Sequence, residues 1–439
     1  MDWNRLPRRA TLGGVQTEAH SPDLAWARSG AMTLTGRAEG PPRLAPAPLA
    51  AWADREANRL RSLAPSADVD GAALLGERAA LRGLVRLGRT APGGVCRLLR
   101  ARDAWLAVNL ARPDDRSLVP AWLETPHPGP LATEIAVRNA GTLVERARLL
   151  GLAVAPAGAA EPAESPPHRI LLRGAPRSPT RRHAPRVVDL SALWAGPLCA
   201  NLLGLAGARV VKIECRTRPD GARSGSRSFF DLLNAGKASV ALDFRDTGDR
   251  AHLLRLVRQA DIVIESARPR ALRQLGIDAE ACVREHGTTW VSITGYGRGA
   301  PEEDWVAFGD DAAAAAGLCA AAGDSAGPLF CSDAIADPLA GLHAAVVALE
   351  SWQSGAGALL DVSLHGVVAS ILAERTSAGS GHVSAASPAR GAPWEVRVGD
   401  RVESVLAPRA RVALARARPL GADTAFVLSE ASGADRGRT

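Results

Sequence analysis

Beyond residue 186 the apolar positions fall into short β-branched runs separated by helix-length stretches. The runs are VVDL, ARVVKIE, SVALDF at 239–244, DIVIES at 261–266 and TTWVSITGYG; between them lie segments such as AGPLCANLLGLAG and RAHLLRLVRQA. Buried strands alternating with helices of about ten residues predict crossover units and a parallel sheet. The expected fold class is α/β, a doubly wound Rossmann-like domain accompanied by a smaller α+β domain. No G-x-G-x-x-G follows the first strand, so the dinucleotide fingerprint is absent and hydride transfer is not supported.

Ahead of residue 152 the pattern differs. LAAWADREANRLRSLA reads as a helix and DAWLAVNLA at 103–111 as a strand, with no alternating series. From 152 to 185 the chain is rich in Pro, Ala and Arg with only RILL as a possible strand, which reads as a connector. An internal repeat crosses this divide: Asp23, Gly30, Gly36, Gly40 and Pro41 recur at Asp310, Gly317, Gly323, Gly327 and Pro328, each 287 positions later.

Composition narrows the function classes. With 46% hydrophobic and 23% charged residues the chain should fold into a sizeable core. The net charge of +7 would suit nucleic acid, but the arginines are dispersed and aromatics are only 4%, so a small anionic ligand is the better expectation. Six scattered cysteines form no CxxC pair and no metal-ligand cluster, and no apolar run is long enough to span a bilayer. A cytoplasmic protein without metal, nucleic acid or membrane partner is expected. Of the 53 basic residues only Lys212 and Lys237 are lysines, so an ammonium at those positions needs a reason.

The blocks VVDLSALWAGPLCANLLGLAGARVVKIE, NAGKASVALD, ADIVIESARP, SITGYG, DPLAGLHAAVVALE and GALLDVSL, in that order, resemble the class III CoA-transferases, the CaiB/BaiF family; RPLGADTAFVL at 418–428 resembles that family's C-terminal ending. The segment RARDAWLAVNLARPDDRSLVPAWLE at 101–125 resembles the family's small second domain, placed here before the α/β segment rather than after it. The implied organisation is a degenerate partial repeat at 1–60, a small domain at 61–151, a connector at 152–185, the Rossmann-like domain at 186–375 and a completing segment at 376–439.

The resemblance also assigns residues. Asp337, with Gly341 four residues on, matches the D-x-x-x-G block whose aspartate is the covalent nucleophile; Asp333 lacks that glycine and is the weaker candidate. Read without the resemblance, Asp337 before Pro338 is a helix N-cap, and a helix N-terminus would hold the carboxylate ionised. The position 287 residues earlier is Ala50, so one active site per chain is expected. For coenzyme A the resemblance implies Trp194, Arg216, Lys237, Ser266, Ala267, Arg268 and Arg273. Trp194 stands where some members have glutamine, and Ser266 and Ala267 replace the usual Asn-Phe. Lys237 is otherwise a solvated lysine at a strand edge, and the arginines otherwise solvated helix-face residues.

The implied function is transfer of CoA from an acyl-CoA to a small carboxylic acid through an aspartyl-CoA thioester, with CoA as substrate and no permanently bound cofactor, in a homodimer of the interlocked kind. A racemase-type isomerase and a non-catalytic CoA-binding protein are the alternatives. FGDD at 308–311 has no histidine where the family's racemases carry one, which argues against the former.

Overall fold

The computed structural model describes residues 21–159, 166–176, 184–374, 382–385 and 394–436. The first twenty residues of the expected repeat, and parts of the 152–185 and 376–439 segments, lie outside the described residues.

Three sheets are present among the described residues. The first is antiparallel: β1 (Cys96–Arg100), β2 (Trp105–Asn109) and β3 (Ala153–Pro156). Its short helices close over a core that includes Leu106, Trp122, Ile135 and Leu143. This is the small α+β module.

The second has seven strands: β4 (Arg169–Pro176), β5 (Arg186–Asp189), β6 (Arg209–Cys215), β7 (Ala238–Leu242), β8 (Ile262–Glu265), β9 (Thr289–Thr294) and β10 (Ala356–Ser363), in the spatial order β4-β10-β9-β8-β5-β6-β7. Every pairing is parallel except that of β4 with β10. The strand order reverses between β5 and β8, which opens a crevice at their carboxyl ends. The α/β expectation is met. One detail changes it: Arg169–Pro176, inside the segment read as a connector, is an antiparallel edge strand. At the other edge the Thr424–Arg436 helix returns to β7, where Ser239 N donates to Asp423 (2.9 Å) and Ala241 N to Thr424 Oγ1 (3.1 Å). The last sheet is β11 (His382–Ala385), β12 (Trp394–Val398) and β13 (Arg401–Ser404).

The 287-residue offset recurs in the backbone. Pro22–Arg28 and Gly309–Ala315, both seven-residue helices, start 287 positions apart, as do the four-residue helical segments Ala31–Leu34 and Leu318–Ala321. Leu49–Leu63 and Ala336–Gln353 also start at that offset and pack on one another. Gly30 and Gly317 cap the short segments in the left-handed region at φ 77° and 91°, where a side chain is strained. Equivalent residues meet: Arg37 donates to Asp324 (2.8 and 2.9 Å), and Glu56 accepts from His343 Nδ1 (2.8 Å), each pair 287 apart. Contact between equivalent positions marks a local two-fold axis. The two units share one core, which runs from Leu24 to Ile371.

The Ala336–Gln353 helix is buried nearly all round, as its apolar sequence requires. It approaches the Ala195–Leu205 helix so closely that a Cβ on Gly341 would lie 2.5 Å from Ala195 O. Gly341→Ala should therefore destabilise the fold by about 1–3 kcal/mol, measurable by urea denaturation.

Candidate active site

The site rests on a buried ionic cluster under the β5–β8 crevice. β5 ends at Asp189, β6 carries Lys212, and Lys237 precedes β7. Lys237 Nζ donates to Asp189 (2.9 Å), Pro197 O (2.9 Å) and Asn234 Oδ1 (3.1 Å). Lys212 Nζ donates to Ser191 O (2.8 Å) and lies 3.0 Å from Asp220. The lysines are 2% and 4% exposed, and two ammoniums face two carboxylates. Burial alone would raise Asp189; the two lysines instead hold its carboxyl down at about 2.

All three donors of Lys237 are engaged by the protein, so it is not a solvated surface lysine; the ammonium the sequence singled out holds the buried cluster together.

The same cluster shapes the loop between β5 and the next helix. Asp189 accepts from Ser191 N (3.0 Å) and from the Ser191 hydroxyl, and Asp220 accepts from Leu193 N (3.0 Å). Leu193 takes φ +70°, an uncommon conformation for a residue with a Cβ, held by these bonds. The turn delivers Trp194 and the amide of Ala195, which donates to the Asp337 carboxylate together with the amide of Gly309. Gly309 cannot be larger: a Cβ there would lie 2.3 Å from Asp337 Oδ2.

Asp337 is half-buried and is the second residue of a helix that begins at Ala336, with Ile335 rather than Asp337 as its cap. Three further carboxylates surround it. Asp333 takes a bidentate pair from Arg78 (2.7 and 2.5 Å). Asp310 accepts from Ala334 N (2.8 Å), and Asp311 accepts from Asn109 Nδ2 (2.7 Å) and Phe308 N (3.1 Å). Ser332 and Ala334, on either side of Asp333, have φ 64° and 42°, so the loop is strained where it meets the acids. Burial raises Asp337 and Asp311 to about 7, and burial with the Asp333 charge raises Asp310 as well. The Arg78 guanidinium opposes the shift at Asp337. Dehydration outweighs the helix terminus here, contrary to the expectation of a permanently ionised nucleophile.

Of the other expected site residues, Trp194 is buried against Arg78 (5.0 Å from guanidinium carbon to ring centre) and Phe229, and its indole N–H has no partner among the described residues. Ser266 Oγ accepts from Ala192 N (3.1 Å), which ties the end of β8, with half-buried Ala267 and exposed Arg268, to the Trp194 loop. Arg216 is exposed beyond the end of β6 and pairs with Asp249 (3.3 Å); Arg273 is exposed and pairs with Glu303 (3.5 Å). The structure thus gathers Asp337 and Trp194, sets Ser266, Ala267 and Arg268 along the crevice, and leaves Arg216 and Arg273 at its outer ends.

Sequence reasoning missed Arg78, Asn109 and Asp311 as site members. Arg78 comes from the N-terminal unit and Asn109 from the small module, so the cluster is built from three separate stretches of chain. At the matching positions of the N-terminal unit Asp337, Asp333 and Asp311 are replaced by Ala50, Pro46 and Leu24, and only Asp23 keeps a carboxylate. That side holds no second acid cluster. No group of metal-ligating residues and no helix long and apolar enough to cross a membrane occurs among the described residues.

Residues 184–394 match the model of CoA-transferase family III. The chain is 30% identical over 198 residues to a succinyl-CoA–D-citramalate CoA-transferase of Chloroflexus aurantiacus, covering 42% of this chain and 49% of that one. It is 30% identical over 202 residues to an acetyl-CoA:oxalate CoA-transferase of Acetobacter aceti, covering 40% and 49%. The chain spans about half the length of these curated relatives. Among solved structures, a CAIB/BAIF family protein from Brucella suis shares 26% identity over 49% of this chain and 63% of that one, with a TM-score of 0.41.

Replacing Lys237 by Met would leave Asp189 short of a counter-charge in a dry site and should cost about 3–5 kcal/mol of stability, read from the denaturation midpoint. An unchanged midpoint would show that the ammonium is not structural.

Proposed function

We propose, on the premise that residues 184–394 belong to CoA-transferase family III, that the chain transfers coenzyme A between carboxylic acids with Asp337 as nucleophile. The observation that carries this reading is the setting of Asp337: half-buried, held by two backbone amides, beside one arginine, with a pKa near neutrality. A carboxylate of raised pKa is more basic and more nucleophilic than an ordinary aspartate, and about half of it is ionised at pH 7.

The steps balance without an external reagent. An Asp337 oxygen attacks the thioester carbonyl, the C–S bond breaks, and CoA leaves as thiolate from a mixed anhydride. The thiolate attacks the aspartyl carbonyl and expels the donor acid as carboxylate, which leaves an aspartyl-CoA thioester. An acceptor carboxylate attacks that thioester, and the thiolate then takes the acceptor's acyl group and frees Asp337. Arg78 offsets the negative charge of the cluster throughout, and the raised pKa values of Asp310 and Asp311 lessen that charge. For coenzyme A the crevice offers Trp194, Ser266, Ala267 and Arg268, with Arg216 and Arg273 as cations at its outer ends.

The module that reaches over the acids through Asn109 belongs to the same chain. That contact supports a site completed within a single chain rather than by the homodimer the resemblance implies. Specific activity should be independent of protein concentration over a range in which light scattering gives the mass of one chain.

Incubation with acyl-CoA followed by hydroxylamine should place a hydroxamate on Asp337, and Asp337→Asn should lower turnover by at least about a thousandfold. An adduct elsewhere, or exchange of the α-proton with deuterated solvent without any acceptor acid, would replace transfer by another chemistry. Because the nucleophile must be ionised, kcat/KM should rise about tenfold per pH unit below pH 7 and level off above it. Arg78→Met removes the cation that lowers the Asp337 pKa, so the rising limb should move to higher pH.

A further inference from the structure

A second cavity, of about 570 Å³, opens at the carboxyl ends of β9 and β10. None of Asp337, Arg78 or Trp194 lines it. Its walls come from both modules. Arg148, from the last turn of the small module's Ala140–Leu149 helix, stacks on Trp305 with 3.4 Å from guanidinium carbon to ring centre. Tyr296, just past β9, packs edge-on against the same indole. His168, Arg169, Glu302, Asp361, Ser363 and His365 complete the polar side.

Three observations describe what this cavity lacks. Arg148 has no hydrogen bond or ion pair among the described residues; burial lowers its pKa, and the Glu302 and Glu145 carboxylates oppose that shift only from a distance. Asp361 is 2% exposed; its Oδ2 accepts from Arg169 (2.7 Å) and from Arg298 N (3.2 Å), while its Oδ1 has no partner. His168 Nδ1 lies 3.0 Å from His343 Nε2, whose Nδ1 lies 2.8 Å from Glu56, which leaves His168 Nε2 without a partner among the described residues. A cation with no direct partner in a half-buried cleft calls for an anion, and the free Asp361 Oδ1 calls for a donor on the same molecule. With Arg148 and Arg169 both present, that donor is a hydroxyl rather than a second cation.

We propose that this cavity binds a small hydroxycarboxylate, its carboxylate on Arg148 against Trp305 and its hydroxyl donating to Asp361 or His168. The site stands apart from the CoA-transfer reading: it shares no residue with the Asp337 cluster. Occupancy joins the small module, which also carries Asn109, to the ends of β9 and β10.

The test is calorimetric titration of the full chain with malate, and with succinate as the same diacid lacking the hydroxyl. Malate should bind saturably, and more tightly than succinate. Arg148→Met should weaken both by about tenfold or more, as expected for loss of a charged hydrogen bond, whereas Arg148→Lys, which keeps the charge, should weaken them less. His168→Phe should reduce the preference for malate, and Asp337→Asn should leave binding unchanged. Absence of saturable malate binding up to about 10 mM, binding indifferent to both Arg148 variants, or binding lost with Asp337→Asn would overturn the proposal. The last result would place the acid in the Asp337 site and leave the transferase reading standing.

Discussion

Two buried ammoniums hold the crevice in place. Lys212 and Lys237, facing Asp189 and Asp220, join the ends of β5 and β6, the entry to β7 and the loop that carries Trp194. Charges this deep persist only with full pairing and hydrogen bonding. Lysine suits the place because three short bonds diverge from one nitrogen, a geometry a planar guanidinium cannot reproduce in that volume. The strained turn at Leu193 is fixed by the same carboxylates, and through it the Ala195 amide reaches Asp337. The charge that supports the Asp337 carboxylate is thus one turn of chain away from it.

Above that base the site is a problem in managing negative charge. Four carboxylates share a buried volume with one arginine; Arg78 pairs with Asp333, and dehydration raises the pKa values of Asp337, Asp310 and Asp311. Arg78 is committed in two directions, paired with Asp333 and stacked over Trp194. It reaches the acids from the N-terminal half of the chain, which thus supplies a wall and a cation to the site.

Much of the sheet was legible in the sequence, because buried parallel strands read as unbroken β-branched runs. β4 was legible only in its first half, as RILL, since Arg169–Pro176 lies at an exposed edge inside a Pro- and Arg-rich stretch that carries the signals of a loop. Asp337 was singled out by resemblance to a family's D-x-x-x-G block, not by spacing alone, and the structure shows what the glycine does: it lets two helices approach where a Cβ would meet Ala195 O. The rarity of lysine pointed to a special position but not to its kind, because burial cannot be told from ligand binding one residue at a time. Arg78 could not be singled out among so many arginines; only the tertiary fold makes it different from the rest. The repeat was visible from five residues, yet its meaning, an axis with equivalent positions in contact, appears only in three dimensions.

In a symmetric pair of separate subunits, a residue on the two-fold axis must meet its own copy. Glutamate would face glutamate and arginine would face arginine, with like charges in contact. Here Glu56 faces His343 and Arg37 faces Asp324 across the local axis. Such pairs are open to units of different sequence, as the two halves of one polypeptide are. Separating the halves and letting either pair with itself would set Glu56 against Glu56 and Arg37 against Arg37, so neither half carries a surface suited to its own copy.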